Sequence, residues 1–232
     1  FIDHAVPAPR RENANDQKAI RDYAIEHGTG FSESGEGICH QLVIEDHALP
    51  GQIILGTDSH TVTAGALGAF ATGMGATDMA VAMALGKTWF RVPETLSVRV
   101  SGGLKRGSFS KDVALYLMGM LGSEGANYKA IEFSGNTITG MRMSERLTLS
   151  NMVVEAGAKA GLIPTDGETR RFLDERGRAG FKEIGQDGDA DYEDVLDIEA
   201  ANLRPMVALP GSVDNVRPID EVGEVKVDSV FI

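Results

Sequence analysis

From Gly65 to Leu85 the chain carries little but Ala, Gly, Leu, Met and Thr; Phe70, Asp78 and Val81 are the exceptions. A helix on a protein surface needs a polar side, and a half-buried strand needs alternation, and this run has neither. Its small side chains let backbones approach one another closely. The expectation is of helices packed backbone to backbone inside the protein. The run is fed by Ile53–Leu55, an apolar stretch that follows Pro50-Gly51 and reads as a buried strand. Between the two stands Asp58-Ser59-His60, a carboxylate, a hydroxyl and an imidazole side by side. Ligands of α/β proteins bind at the carboxyl ends of strands, so this junction is the first candidate site.

The rest of the chain alternates. Residues 15–27 place Ala19, Ile20, Tyr23 and Ala24 at helical spacing before Gly28, and residues 38–48 read as a short helix. After Phe90–Glu94 the pattern changes, with a strand over Thr95–Val100, a helix over Ser110–Leu121, a strand over Ala130–Phe133 and a helix over Ser144–Ala160. Strands alternating with helices predict an α/β fold. The expected division is 1–93, 94–211 and the start of a third domain at 212–232. The chain opens on Phe1 without a Met and closes on an apolar run, VKVDSVFI, so it reads as a piece of a longer polypeptide.

The formal net charge is −12, a surface that repels phosphate backbones, so nucleic acid is not an expected partner. A local cationic pocket could still take an anionic substrate. No apolar run approaches a membrane span, and one cysteine, Cys39, excludes an internal disulfide, so a reducing cytoplasm is the expected compartment. Residues 183–199 hold eight acids but make no EF-hand: with Asp187 in position 1, the Gly position is Tyr192 and the Glu position is Ile198. They read as a solvated acidic face.

All five histidines fall within the first sixty residues. A carboxylate beside an imidazole raises its basicity and fixes its tautomer, as acid–base chemistry requires. Asp3-His4 and Asp58-Ser59-His60 have that composition, and His40 stands upstream of Asp58; His27 and His47 read as structural. Cys39 beside His40 reads as a small buried thiol.

The stretches IDHAVPA, GEGICHQ, GTDSHTVTAGALGAFATGMGATDMAVAMALGKTWFRVPET and LSNMVVEAGAKAGLIPTD together resemble the large subunit of the aconitase superfamily. The nearest likeness is to its two-subunit branch, isopropylmalate isomerase and homoaconitase. The resemblance implies aconitase-like three-layer α/β/α domains and a hydro-lyase that dehydrates a 2-hydroxy di- or tricarboxylate and rehydrates the alkene. An example is the conversion of 2- to 3-isopropylmalate in leucine biosynthesis. It implies carboxylate–imidazole pairs of Asp3 with His4, Asp58 with His40, and Glu155 with His60. His4 is then the acid for the departing hydroxyl, and Ser59 and Asn151 contact the substrate, Asn151 and Glu155 forming an NxxxE motif. It also implies a 4Fe–4S cluster in the intact protein, on cysteines expected beyond Ile232, and none in this chain alone. The partner implied is a small, swivelling subunit that carries the catalytic serine base. Two readings of other classes remain open at this point. One is a mononuclear metal hydrolase with His4, His40, Asp58 and His60 as ligands, and the other is a non-catalytic docking segment.

Overall fold

The computed structural model describes residues 1–231 and divides into two units, Phe1–His47 and Ala48–Ile232. The first unit is built on α1 (Arg11–His27), which closes on Gly28 in the left-handed conformation. A short helix α2 (Cys39–Leu42) follows and runs on into a π-helical turn, Val43–His47. Ala24 of α1 is buried, and Arg21 makes a two-pronged bond to Glu33 in the loop beyond it.

The second unit is α/β. Two parallel strands, β1 (Ile53–Gly56) and β2 (Phe70–Gly73), are joined by a 3-10 helix, Ser59–Leu67. A helix α3 (Ala76–Leu85) follows β2. Beyond Pro93 comes a four-stranded parallel sheet made of β3 (Thr95–Ser101), β4 (Ala130–Ser134), β5 (Ala160–Leu162) and β6 (Asp194–Glu199), in the order β5-β4-β3-β6. Its connections carry α4 (Ser110–Leu121), α5 (Asn136–Gly140), α6 (Met143–Met152) and α7 (Gly167–Asp174). A small antiparallel pair, β7 (Met206–Ala208) and β8 (Val216–Pro218), spans residue 211 and packs on α4. The core gathers Val98, Val100, Ile131 and Phe133 of the sheet with Val113, Leu117 and Met118 of α4 and Leu149 of α6.

The small-residue run divides in two. Thr61–Leu67 of the 3-10 helix is wholly buried, and a Cβ on Gly65 would stand 1.9 Å from the carbonyl oxygen of Gly161. Backbone thus meets backbone there, but as a 3-10 helix and a strand rather than as two α-helices. α3, expected inside, has no buried residue in this chain, and Val81, Met83 and Leu85 are exposed on it. The helix expected over Ser144–Ala160 ends earlier. It tightens to a 3-10 turn at Val153–Ala156 and stops at Gly157 in the left-handed conformation, and Ala160 then begins β5. Part of the acidic stretch is the strand β6, whose Ile198 is buried while Asp194, Asp197 and Glu199 are exposed.

Candidate active site

β1 ends at Gly56, and the chain turns at once into the 3-10 helix with Asp58 as its N-cap, extended at φ −94°. The Asp58 carboxylate accepts the backbone N–H of His60 at 2.7 Å, and the Asp58 carbonyl accepts the Thr61 hydroxyl at 2.7 Å. The end of β2 packs on this loop so closely that a Cβ on Gly73 would meet the Asp58 carbonyl oxygen at 2.7 Å. The turn that carries His60 is therefore held through Asp58, by its carboxylate and by its carbonyl.

The His60 ring is fixed as well. Nε2–H donates to Glu155 Oε1 at 3.3 Å across 95 residues of sequence, and Nδ1 lies 3.2 Å from Ser59 Oγ and 3.8 Å from Asp58 Oδ1. A carboxylate can only accept, so Glu155 sets the tautomer with the proton on Nε2, and Nδ1 accepts from the Ser59 hydroxyl. On protonation, Nδ1–H finds Asp58 beside it. The imidazole can thus take and return a proton between two acids. The ring and Glu155 side chain are each 34% exposed, so solvent or a ligand can reach them. Glu155 reaches His60 from the 3-10 turn after α6, and Asn151 of α6 itself reaches Thr63. Asn151 Nδ2 donates to Thr63 Oγ1 at 2.9 Å, and that hydroxyl donates to the His60 carbonyl at 2.6 Å. Thr63 was not singled out from sequence, where a threonine in a run of small residues carries no signal.

In the first unit, His4 Nδ1–H donates to Asp3 Oδ1 at 3.0 Å, and Asp3 Oδ2 accepts the Cys39 N–H at 2.7 Å. Asp3 is nearly covered, at 11% exposure, while His4 is 72% exposed. Burial alone would raise the Asp3 pKa. The hydrogen bonds from the Cys39 N–H and thiol and from His4 outweigh it and hold the carboxyl at about 2. Because the folded value lies below the ordinary 3.8, the stabilisation is complete above about pH 4 and is lost as pH falls through about 2. It amounts to about 2 kcal/mol. An NMR titration of the Asp3 carboxyl should show a midpoint near 2; a midpoint near 3.8 would mean that the Cys39 and His4 bonds do not hold in solution. His40 stands on α2, its Nδ1 3.7 Å from Cys39 Sγ, in the first unit, and Asp58 is in the second. His27 stacks on Tyr23 at 4.0 Å, and His47 meets Phe1 edge-on at 5.9 Å.

Cys39 is the one thiol, and among the described residues no three His, Cys, Asp or Glu side chains gather as a metal-ligand group. A 4Fe–4S cluster needs several thiolates, so the donors of this chain do not fit one.

Residues 2–230 match the aconitase family (aconitate hydratase). This chain belongs to the aconitase family. Among relatives in the family, a 3-isopropylmalate dehydratase large subunit of Elusimicrobium minutum is 54% identical over 233 residues, covering all of this chain and 56% of that protein. The 3-isopropylmalate dehydratase large subunit 2 of Archaeoglobus fulgidus is 52% identical over the same length and coverage. A probable methanogen homoaconitase large subunit of Methanosarcina mazei is 47% identical over 233 residues, covering all of this chain and 60% of the relative. The chain thus spans a little over half the length of these aconitase-family relatives. No helix among the described residues is long and apolar enough to cross a membrane.

Proposed function

We propose that this chain is the acid–base part of a hydro-lyase of the 3-isopropylmalate dehydratase type. The whole protein interconverts 2- and 3-isopropylmalate through the alkene, a step of leucine biosynthesis in the cytoplasm. The observation that carries the reading is the His60 imidazole held between Glu155 and Asp58 at the carboxyl end of β1. Moving a hydroxyl to the neighbouring carbon requires a proton to reach the departing oxygen and to leave the incoming water, and an imidazole with a fixed tautomer serves both directions. His4, oriented by Asp3, protonates the departing hydroxyl. His60 with Glu155, and His40, handle the water, and Ser59 and Asn151 contact the substrate. The base for the carbon-bound proton is a serine of the small-subunit partner. A 4Fe–4S cluster belongs to the whole protein, on cysteines other than Cys39.

The test is turnover of the whole protein with its small subunit. 3-Isopropylmalate should be converted, with the conjugated alkene accumulating as a minor species. Turnover of homocitrate without isopropylmalate would move the reading to the homoaconitase side, which the Methanosarcina relative represents. Hydrolysis of an ester or amide with no hydro-lyase activity would replace it with the metal-hydrolase reading.

A further inference from the structure

A cavity of about 430 Å³ opens beside the loop that carries Ser59. One wall is the carboxyl ends of β1 and β2, with Thr57, Ser59, Thr72 and Gly73–Gly75. The other comprises Asn127 and Tyr128 before β4 and Val154 and Gly157–Lys159 before β5. This second wall is tied together by its backbone: the Tyr128 N–H donates to the Gly157 carbonyl at 3.1 Å, and the Lys159 N–H to the Lys129 carbonyl at 2.7 Å. Tyr128 sits at φ +59°, a conformation that a tyrosine adopts only when its surroundings hold it there. Its ring receives the Lys159 ammonium at 5.2 Å from the centroid and the Arg91 guanidinium at 5.9 Å.

Some cations of the chain pair with acids, as Lys129 does with Glu193, Arg146 with Asp166, and Arg171 with Glu168 and Glu175, and others do not. Lys159 and Arg91 have no carboxylate within 4 Å among the described residues, in a protein of net charge −12. The aromatic face steadies the ammonium without neutralising it. Lys159 is half-buried, so its charge keeps much of its reach into the cavity. Around it the lining offers the Thr57 hydroxyl and the Asn127 amide, groups that donate hydrogen bonds to an oxyanion, while the Ser59 hydroxyl is given to His60 Nδ1.

We infer that Lys159 binds a carboxylate of the substrate, with Thr57 and Asn127 completing a subsite that holds the acid's far end while its carbinol end is worked on by His60. The inference rests on the hydro-lyase reading for the identity of the substrate, but the subsite itself is defined by the cavity and its unpaired cation. Ser59 joins the two regions, since it lines the cavity and its hydroxyl lies 3.2 Å from His60 Nδ1. A diacid reaching from Lys159 past Ser59 is thereby brought toward His60. The contact is the same in the ground state and the transition state, so it appears in KM more than in kcat.

The experiment uses the whole protein with its small subunit and the variants Lys159→Met, Lys159→Gln and Lys159→Arg. Lys159→Met should raise KM for the hydroxy diacid about 10- to 100-fold, the worth of a charge-assisted hydrogen bond, with kcat changed less than about threefold. Lys159→Arg should recover most of the loss. Titration with succinate, which has two carboxylates and nothing to eliminate, reads the subsite without turnover. Its affinity should fall by a similar factor in Lys159→Met and in Lys159→Gln, and inorganic phosphate should not displace it. Unchanged succinate affinity in either neutral variant overturns the inference, as does a loss confined to kcat or displacement by phosphate at equal concentration. If no hydroxy acid turns over in the unaltered protein, the hydro-lyase reading fails. Succinate binding that still depends on Lys159 would then keep the subsite.

Discussion

Replacing His4 by alanine in the whole protein should lower kcat about 10²- to 10⁴-fold, the usual worth of a positioned general acid. The argument begins with exposure. Asp3 is nearly covered against the start of α2, and His4 projects from it, 72% exposed, so the carboxylate is fixed and the ring is presented. The Nδ1–H bond to Asp3 at 3.0 Å leaves the transferable proton to Nε2. Alanine removes the donor and leaves Asp3 on the Cys39 N–H, so local structure should persist and KM should change little. Asp3→Asn is the informative companion. Asp3 accepts from two donors at once, His4 through Oδ1 and Cys39 through Oδ2. An asparagine has one acceptor end, so it can satisfy only one of them, and the other meets an NH₂. The ring stays but loses its orientation, and the loss in kcat should be smaller than for His4→Ala. Steady-state turnover with 3-isopropylmalate measures both. Turnover of His4→Ala within threefold of the unaltered protein would remove His4 from the reaction.

The sequence disclosed these features unevenly, for physical reasons. α4 falls on Ser110–Leu121 as periodicity predicts, because it is amphipathic, with one face in the core and Tyr116 and Met120 outside. The strand-to-DSH junction was legible because an apolar run followed by polar groups has few other structures available. The end of α6 was not. Helical periodicity continues through Val153–Ala156, and what stops it is Gly157 turning left-handed where a Cβ would meet the Asn127 backbone at 3.1 Å, a tertiary fact. β6 was hidden by its acids, since only its inward residues carry the strand signal. α3 shows the opposite failure, an apolar composition taken as burial that no residue of the described chain provides. At the site, Asp3-His4 and Asp58-Ser59-His60 were visible as neighbours. The approach of Glu155 to His60 spans 95 residues and came from the family resemblance, because nothing in local spacing encodes it.

Arg146→Met should weaken the α5–α7 region by about 3 kcal/mol, at the lower end of the range for removing one partner of a buried ion pair. Arg146 is fully buried, and four of its five N–H groups are hydrogen-bonded. Nη1 and Nη2 donate to the two Asp166 oxygens at 2.7 Å each, Nε donates to the Met141 carbonyl and Nη2 to the Thr139 carbonyl, both at 3.2 Å. The two carbonyls lie at the α5–α6 junction and Asp166 is the N-cap of α7, so one side chain joins three helices. Methionine fills similar space but leaves a carboxylate and two carbonyls without their donor. The effect is held to the lower end because Asp166 is 29% exposed and keeps its bonds from the Glu168 and Thr169 N–H groups. Burial alone would raise the Asp166 pKa, and Arg146 together with those N–H groups lowers it below the ordinary value. Its stabilisation is therefore present at neutral pH and fades as the medium turns acid through the folded value. Lys at position 146 should recover less than half, since an ammonium cannot make the two parallel bonds or reach both carbonyls. Hydrogen exchange on the whole protein reads the loss locally. Amides of Arg146–Ser150 and of Thr169–Leu173 should exchange about 10²-fold faster in Arg146→Met, while those of β3 and α4 keep their protection. Exchange that rises equally across β3 and α4 would show that the bond supports the whole unit rather than this corner, and unchanged exchange at α6 and α7 would show that the pair contributes nothing net.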